Sequence, residues 1–275
     1  MKQMKIFKDR YSLKNELSGI KDLTFVPTMG GLHKGHKSLI KKAQIYGTKV
    51  LVSIYINPKQ FNSKKDFNTY PKNKKKDLSL LKKLKVDYVY MPTFNDVYLF
   101  KTKNRVYQAK QSKILCGKYR KTHFRGVLDA VNRLLEIIEP KNIVLGEKDY
   151  QQLFLIRKHI IKNKINTKIL SCKTVREENG IPYSSRNFNL SKNEREIASK
   201  IYHYLKKEKK IISQKKSFKL VANNLKKKIH KFGVKKIDYI EFISLKNLKK
   251  INSNKEKFNI FISYYFRHVR LIDNL

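Results

Sequence analysis

Five short apolar runs, separated by helix-type periodicity, constrain this chain more than anything else in it. They are Leu23–Val26, Lys49–Ile56, Asp87–Met91, Asn142–Leu145 and Lys168–Cys172. Strands buried on both faces read as near-continuous Val, Ile and Leu, as parallel strands covered by helices must. Residues 1–22 read as a short helix leading into the first strand. Helical patterns follow to Tyr46, over Lys72–Leu84, over Val127–Ile138 and over Leu153–Ile161. The alternation stops after about residue 175. Ser191-Lys192-Asn193-Glu194 reads as a capping box, residues 191–232 as two helices, and Ile237–Leu245, Phe258–Tyr264 and Val269–Ile272 as short strands. The expectation is an α/β domain with a parallel sheet over 1–175, followed by a smaller α+β domain over 176–275.

Open parallel sheets bind ligands beyond the carboxyl ends of their strands, so the strand ends are where function is sought. The first strand runs into Pro27-Thr28-Met29-Gly30-Gly31-Leu32-His33-Lys34-Gly35-His36, and then into a helix. Unpaired N–H groups at a helix start suit an anion. Gly30, Gly31 and Gly35 admit close approach of a phosphate. His33 and His36, three apart on one face, can each donate a ring N–H to a phosphate oxygen. Metal binding by this pair is disfavoured, because no third ligand stands at suitable spacing.

Three later stretches repeat the pattern. Asn57-Pro58-Lys59-Gln60 ends the second run; turn chemistry explains Asn57 but leaves Gln60 as a candidate for a substrate hydrogen bond. Gly146-Glu147-Lys148-Asp149-Tyr150-Gln151-Gln152 ends the fourth. There Lys148 can meet phosphate charge, Gln152 a polar substrate, and Asp149 either caps the helix or holds a metal. The loop Arg176–Asn187 is rich in donors, and Ser184, Ser185 and Arg186 can clamp a triphosphate.

Composition adds a net charge of +43. Clustered Lys and Arg can bind nucleic acid. Here only 11 of the 64 basic residues are arginine and the lysines are spread over the whole length. Lys, Asn and Ile share AT-rich codons, so compositional drift is the preferred reading. The field would still attract anionic small molecules. No apolar run reaches membrane-spanning length and no signal peptide is evident. Cys116 and Cys172 lack metal spacing and read as free thiols in a reducing cytoplasm.

These motifs resemble the nucleotidylyltransferase superfamily, and within it the pantoate–β-alanine ligase family. Pro27–His36 is similar to that family's P-T-M-G-x-L-H-x-G-H. Val52–Phe61, His123-Phe124-Arg125-Gly126-Val127, Gly146–Gln152, Ser184–Asn187 and Arg270-Leu271-Ile272-Asp273-Asn274 match in family order over essentially the whole chain. The resemblance implies a Rossmann-like domain with a smaller domain closing over ATP. It implies a homodimer, Mg²⁺, and condensation of pantoate with β-alanine through a pantoyl-adenylate, releasing pyrophosphate and AMP. It also implies that ATP contacts Met29, Gly30, Gly31, Leu32, His33, Lys34, Gly35 and His36. Gly146, Glu147, Lys148 and Asp149 join them, with Val175, Tyr183, Ser184, Ser185 and Arg186. His36, His33, Lys148 and Arg186 would carry the chemistry, by stabilising charge rather than by donating a proton. Gln60 and Gln152, with Asn57 and Tyr70, would hold pantoate and β-alanine.

The chain departs from the family at several positions. Lys72 replaces the arginine of Tyr-Pro-Arg, and Lys76-Asp77 stands where two acids are expected, leaving Asp77 as the tentative metal ligand. Lys121-Thr122 replaces Pro-Gly before His123, Tyr98–Lys101 replaces Tyr-Pro-x-Gly, and Tyr183 replaces a small or apolar residue. Two rival readings stay open at the level of sequence. One is another nucleotidylyltransferase with a His-x-Gly-His motif. The other is a basic nucleic-acid-binding protein with a relic site.

Overall fold

The computed structural model describes residues 3–212, 218–251 and 256–275. Its larger sheet holds β1 (Lys5–Phe7), β2 (Leu23–Thr28), β3 (Lys49–Ile54), β4 (Tyr88–Tyr90), β5 (Asn142–Gly146) and β6 (Lys168–Cys172). The strand order is β1-β4-β3-β2-β5-β6 and every pairing is parallel. The order reverses between β2 and its neighbours β3 and β5, which places the carboxyl end of β2 at the centre of the sheet's ligand-binding edge. Phe25 and Val26 on β2 and Leu51 and Val52 on β3 are fully buried, as two-sided coverage demands.

Numbering helices of eight residues or more, α1 is Arg10–Leu17, α2 Lys34–Tyr46, α3 Lys74–Lys83, α4 His123–Ile138, α5 Tyr150–Lys162, α6 Lys192–Ile212 and α7 Phe218–Lys231. Helix α4 buries an apolar stripe including Val127, Leu128, Val131, Leu134, Leu135 and Ile138 against one face of the sheet. Helix α2 covers the other face with Ile40 and Ala43. The expectation of helix alone before β2 is corrected. Lys5-Ile6-Phe7 form an edge strand on β4, and a helix capped by Asp9 follows.

The C-terminal part is α6 and α7 packed on an antiparallel sheet of β7 (Lys236–Ser244), β8 (Phe258–Phe266) and β9 (Val269–Asn274), in that order. Ser191 and Glu194 form the expected capping box: Glu194 N–H donates to Ser191 Oγ at 3.3 Å and Ser191 N–H to the Glu194 carboxylate at 2.8 Å. This sheet does not stand apart. Tyr239, Ile243, Leu248 and Phe261 pack into the same cluster as α4 and α5. Tyr150 OH donates to the Leu245 carbonyl at 3.0 Å. Among the described residues, no helix is long and apolar enough to cross a membrane.

Candidate active site

A cavity of about 300 Å³ opens at the carboxyl ends of β2, β3 and β5, roofed by the 173–187 loop and by β9. The turn after β2 is built almost entirely from internal bonds. Gly30 and Gly31 adopt φ of 77° and 61°, a region closed to most side chains. Gly30 N–H donates to Thr28 Oγ1 at 3.2 Å. Gly31 and Leu32 N–H donate to the two oxygens of Asp77 at 2.9 and 2.8 Å. A Cβ on Gly30 would lie 2.9 Å from Asp77 Oδ2. Gly30 therefore makes room for a carboxylate of the protein itself, and Gly31 for the Pro71 carbonyl and Ser185.

The two histidines cap α2. Gly35 N–H donates to His33 Nδ1 at 3.1 Å, and His33 N–H donates to His36 Nδ1 at 3.3 Å. A Cβ on Gly35 would press 2.9 Å against the His33 ring. Burial first, then His36 and Lys148, lower the His33 pKa to about 3; burial and then Lys148 lower His36 to about 4. Both rings are thus neutral near pH 7. With Nδ1 accepting, the remaining proton is on Nε2, so each ring offers the cavity one Nε2–H. The rings lie 4.0 Å apart, and His33 stacks on Tyr183 at 6.1 Å. The imidazoles, more than the α2 backbone, are this turn's free donors.

At the end of β3, Asn57 is nearly inaccessible. Its amide donates to the Gly126 carbonyl at 2.9 Å, and its oxygen accepts from Lys59 N–H and Tyr98 OH, both at 3.2 Å. Asn57 borders the cavity, and its amide is occupied in holding the turn. A Cβ at Gly126 would sit 2.3 Å from the Lys59 carbonyl, so the start of α4 docks directly on this turn. His123 holds the Gln60 carbonyl at 2.7 Å, and Arg120 reaches it at 3.3 Å. Burial and then Arg120 push His123 well below the usual imidazole range. The neutral ring therefore donates through Nδ1 and accepts from Arg120 at Nε2, 3.2 Å away. Gln60 is held by its backbone, and its side-chain amide turns into the cavity against Met29 Sδ. Sequence reading gave neither Arg120 nor His123 a place in the site, although His123 opens a matched stretch.

At the end of β5, Gly146, Lys148, Asp149 and Gln152 line the cavity. Asp149 makes no capping bond to α5 and instead pairs with Lys148 at 3.4 Å. Glu147 turns away and accepts from Ser171 Oγ at 2.9 Å. In the roof, Tyr183 N–H bonds the Val175 carbonyl at 3.1 Å, and Ser184 caps the turn that carries Ser185 and Arg186. Arg186 donates to both oxygens of Asp66 at 3.2 and 3.1 Å. Tyr70 is buried with its hydroxyl 3.3 Å from Ser185 Oγ.

Met29, His33, Gly35, His36, Gln60, Tyr70, Val175, Tyr183, Ser184, Ser185 and Arg186 thus converge on one cavity. Gly30, Gly31, Leu32, Lys34 and Glu147 stand behind or beside it. Asp77 is buried away from it, with both oxygens committed to backbone N–H groups. Asp77 thus serves the turn structurally, whatever its tentative assignment as a metal ligand. Among the described residues, no group of three or more His, Cys, Asp or Glu is arranged to hold a metal.

Comparison with known proteins places this geometry. A family model described as pantoate-beta-alanine ligase matches residues 3–275. The pantothenate synthetase of Francisella tularensis subsp. novicida (strain U112) is 40% identical over 268 residues, covering 97% of this chain and 94% of that protein. A crystal structure of pantoate-beta-alanine ligase from Francisella tularensis, complexed with beta-gamma ATP and beta-alanine, superposes with a TM-score of 0.82. It is 39% identical and covers 99% of this chain and 97% of that one. Pantothenate synthetase from Thermus thermophilus superposes with a TM-score of 0.91 at 28% identity, with 99% of both chains covered. The chain belongs to the pantoate–β-alanine ligase family.

Proposed function

We propose that this chain joins pantoate to β-alanine at the expense of ATP, in two steps within the cavity described. In the first, a pantoate carboxylate oxygen attacks the α-phosphorus of ATP, and the bond to the bridging oxygen of pyrophosphate breaks. In the second, the β-alanine amine attacks the acyl carbon, AMP leaves, and the amine loses a proton to give the amide. The carrying observation is a pair of histidines lining the cavity beside Lys148, each accepting a backbone N–H at Nδ1, at the central strand end of a Rossmann-like sheet.

The chemistry follows from those groups. Negative charge builds on the phosphates as pyrophosphate departs, so fixed donors and cations should stabilise the transition state. His33 and His36 supply neutral donors that need no proton transfer. Lys148 supplies charge. Arg186 reaches the cavity while paired with Asp66, which is over a third exposed; the more highly charged triphosphate competes for the same guanidinium fork. The amides of Gln60 and Gln152 suit a small hydroxy acid, and Tyr70 and Ser185 close the polar wall. The segment 176–275 acts as the second unit, covering the acyl-adenylate and keeping water from it.

The family resemblance implies Mg²⁺, yet the residues present do not fit a protein-held ion. Asp77 is committed elsewhere, Asp66 and Asp149 each face a cation, and no acidic cluster stands in the described cavity. Any Mg²⁺ would arrive as the counter-ion of ATP, and no step is assigned to it. A cytoplasmic homodimer completes the reading. Pantoate-dependent exchange of labelled pyrophosphate into ATP tests it. Folded, pure protein that shows no such exchange would sink it.

A further inference from the structure

The Arg270–Asn274 run is a matched sequence motif to which the reaction above gives no role. We propose that Asn274, with Asp273 beside it, is a positioning residue for Lys148, fixing the β5–α5 turn against the roof loop. This rests on the reading of the cavity as the adenylation site.

Asn274 is the last residue of β9, paired in register with Phe261. It is 7% exposed, and its side chain leaves the sheet toward a different element. Its two amide hydrogens are divided between the carbonyls of Glu147 and Lys148, each at 2.9 Å. Its oxygen accepts from Asn259 Nδ2 at 2.8 Å. That donor fixes the sense of the carboxamide, because the reversed amide would set an oxygen against two carbonyl oxygens and an N–H against an N–H. Both carbonyls belong to the single turn that presents Lys148 to the cavity. The backbone of that turn is thus held from outside its own sheet.

The neighbouring residue grips the roof. Arg176 makes a two-pronged pair with Asp273 at 2.7 and 2.9 Å, and it also donates to the Asn274 carbonyl at 3.2 Å and the Gly180 carbonyl at 3.0 Å. Asn274 N–H closes on Asp273 Oδ1 at 2.7 Å. Two adjacent residues therefore bind the Lys148 turn with one side chain and the start of the Tyr183–Arg186 loop with the other. Lys148 lies close enough to His33 and His36 to bias both rings, so a shift of this turn alters the electrostatics of the whole phosphate side.

A double-mutant cycle tests this. Pyrophosphate–ATP exchange is measured for the wild type, Asn274→Ala, Lys148→Ala and the double variant, with circular dichroism as the check on folding. The expected result is a loss of more than about tenfold in each single variant, with the double variant no more than about twofold below Lys148→Ala. A residue that merely stabilises the fold would give losses that multiply. Multiplying losses, or a loss of less than about tenfold in Asn274→Ala, overturns the proposal. Should Asn274→Ala fail to fold, Asn259→Ala removes the donor that orients the amide, together with an acceptor for Lys209 Nζ at 2.9 Å, and the same cycle with Lys148→Ala applies the same criterion of non-multiplying losses. Wild type lacking pantoate-dependent exchange would overturn the site reading and this proposal together. Exchange in the wild type with a multiplying cycle would overturn this proposal alone.

Discussion

Asp77→Asn separates a structural carboxylate from a metal ligand. Asp77 is 4% exposed and accepts from Gly31 N–H at 2.9 Å and Leu32 N–H at 2.8 Å. It is rigidly placed, because it sits in the first turn of α3, whose cap Asn73 accepts from Lys76 N–H. Asparagine fills the same volume but can satisfy only one of the two N–H groups with its oxygen; its NH₂ then opposes the other. One charge-assisted bond becomes neutral, and one buried donor loses its acceptor. Each is worth roughly 1–3 kcal/mol, so the change should cost about 2–6 kcal/mol in all. At about 2–4 °C per kcal/mol for a chain near this size, the melting temperature should fall by roughly 4–24 °C. Urea unfolding at fixed pH measures the loss, and pyrophosphate exchange over a Mg²⁺ series accompanies it. A loss under about 1 kcal/mol together with a large rise in the Mg²⁺ needed for exchange would refute the argument, because a metal ligand has that signature and a turn anchor does not.

His36→Ala should lower pyrophosphate exchange by more than about tenfold, because the ring donates to the cavity through Nε2 and caps His33 through Nδ1; near-wild-type exchange would contradict its role. Arg186→Lys should retain part of the activity that Arg186→Ala loses, since it keeps the charge and gives up the fork; equal rates for the two variants, measured at saturating ATP, would contradict a bidentate contact. Burial holds His36 and His159 at about 4 and His33 at about 3, below their ordinary 6.5. The unfolded chain therefore binds protons first as pH falls. This contribution to stability is complete above about pH 6.5 and is lost progressively toward pH 4; a urea midpoint that does not move between pH 7 and 5 would show these rings to be solvated. Binding to duplex DNA should be weak and vanish as salt is raised from about 50 to about 200 mM, as expected of dispersed lysines; sequence-selective retention on a filter at the higher salt would favour a nucleic-acid role.

Strands with an interior position were legible because burial on both faces writes itself as uninterrupted apolar sequence. Lys5–Phe7 was not, because an edge strand of three residues carries no period and its identity comes only from pairing with Tyr88–Tyr90. The cavity's residues were legible where they follow a strand end. What each does there was less so. Gly30 and Gly35 signal close approach, but sequence does not say that the approaching groups are Asp77 and the His33 ring rather than a phosphate. Asn57 and Asp77 have the chemistry of ligand contacts and are consumed by backbone bonds instead. Asn274 lies over 120 residues from the turn it holds, and no local pattern reports such a distance.

The same contacts bear on the net charge of +43. Drift toward lysine can proceed wherever a side chain meets water, since a solvated cation costs little there. It is opposed where an acid holds backbone N–H groups, because an ammonium would set donor against donor. The acids follow that division. Asp9 caps α1, Asp77 anchors the β2 turn, Asp87 accepts from Val50 N–H, Asp96 from Arg10 N–H, and Glu194 from Ser191 N–H. Arginine is likewise found where a fork is used, as with Arg133 on the Phe100 carbonyl, Arg176 on Asp273 and Arg195 on Glu177. A field of this sign attracts small anions in general, and the acids and arginines named above are ones whose side chains are committed to backbone groups or ion pairs.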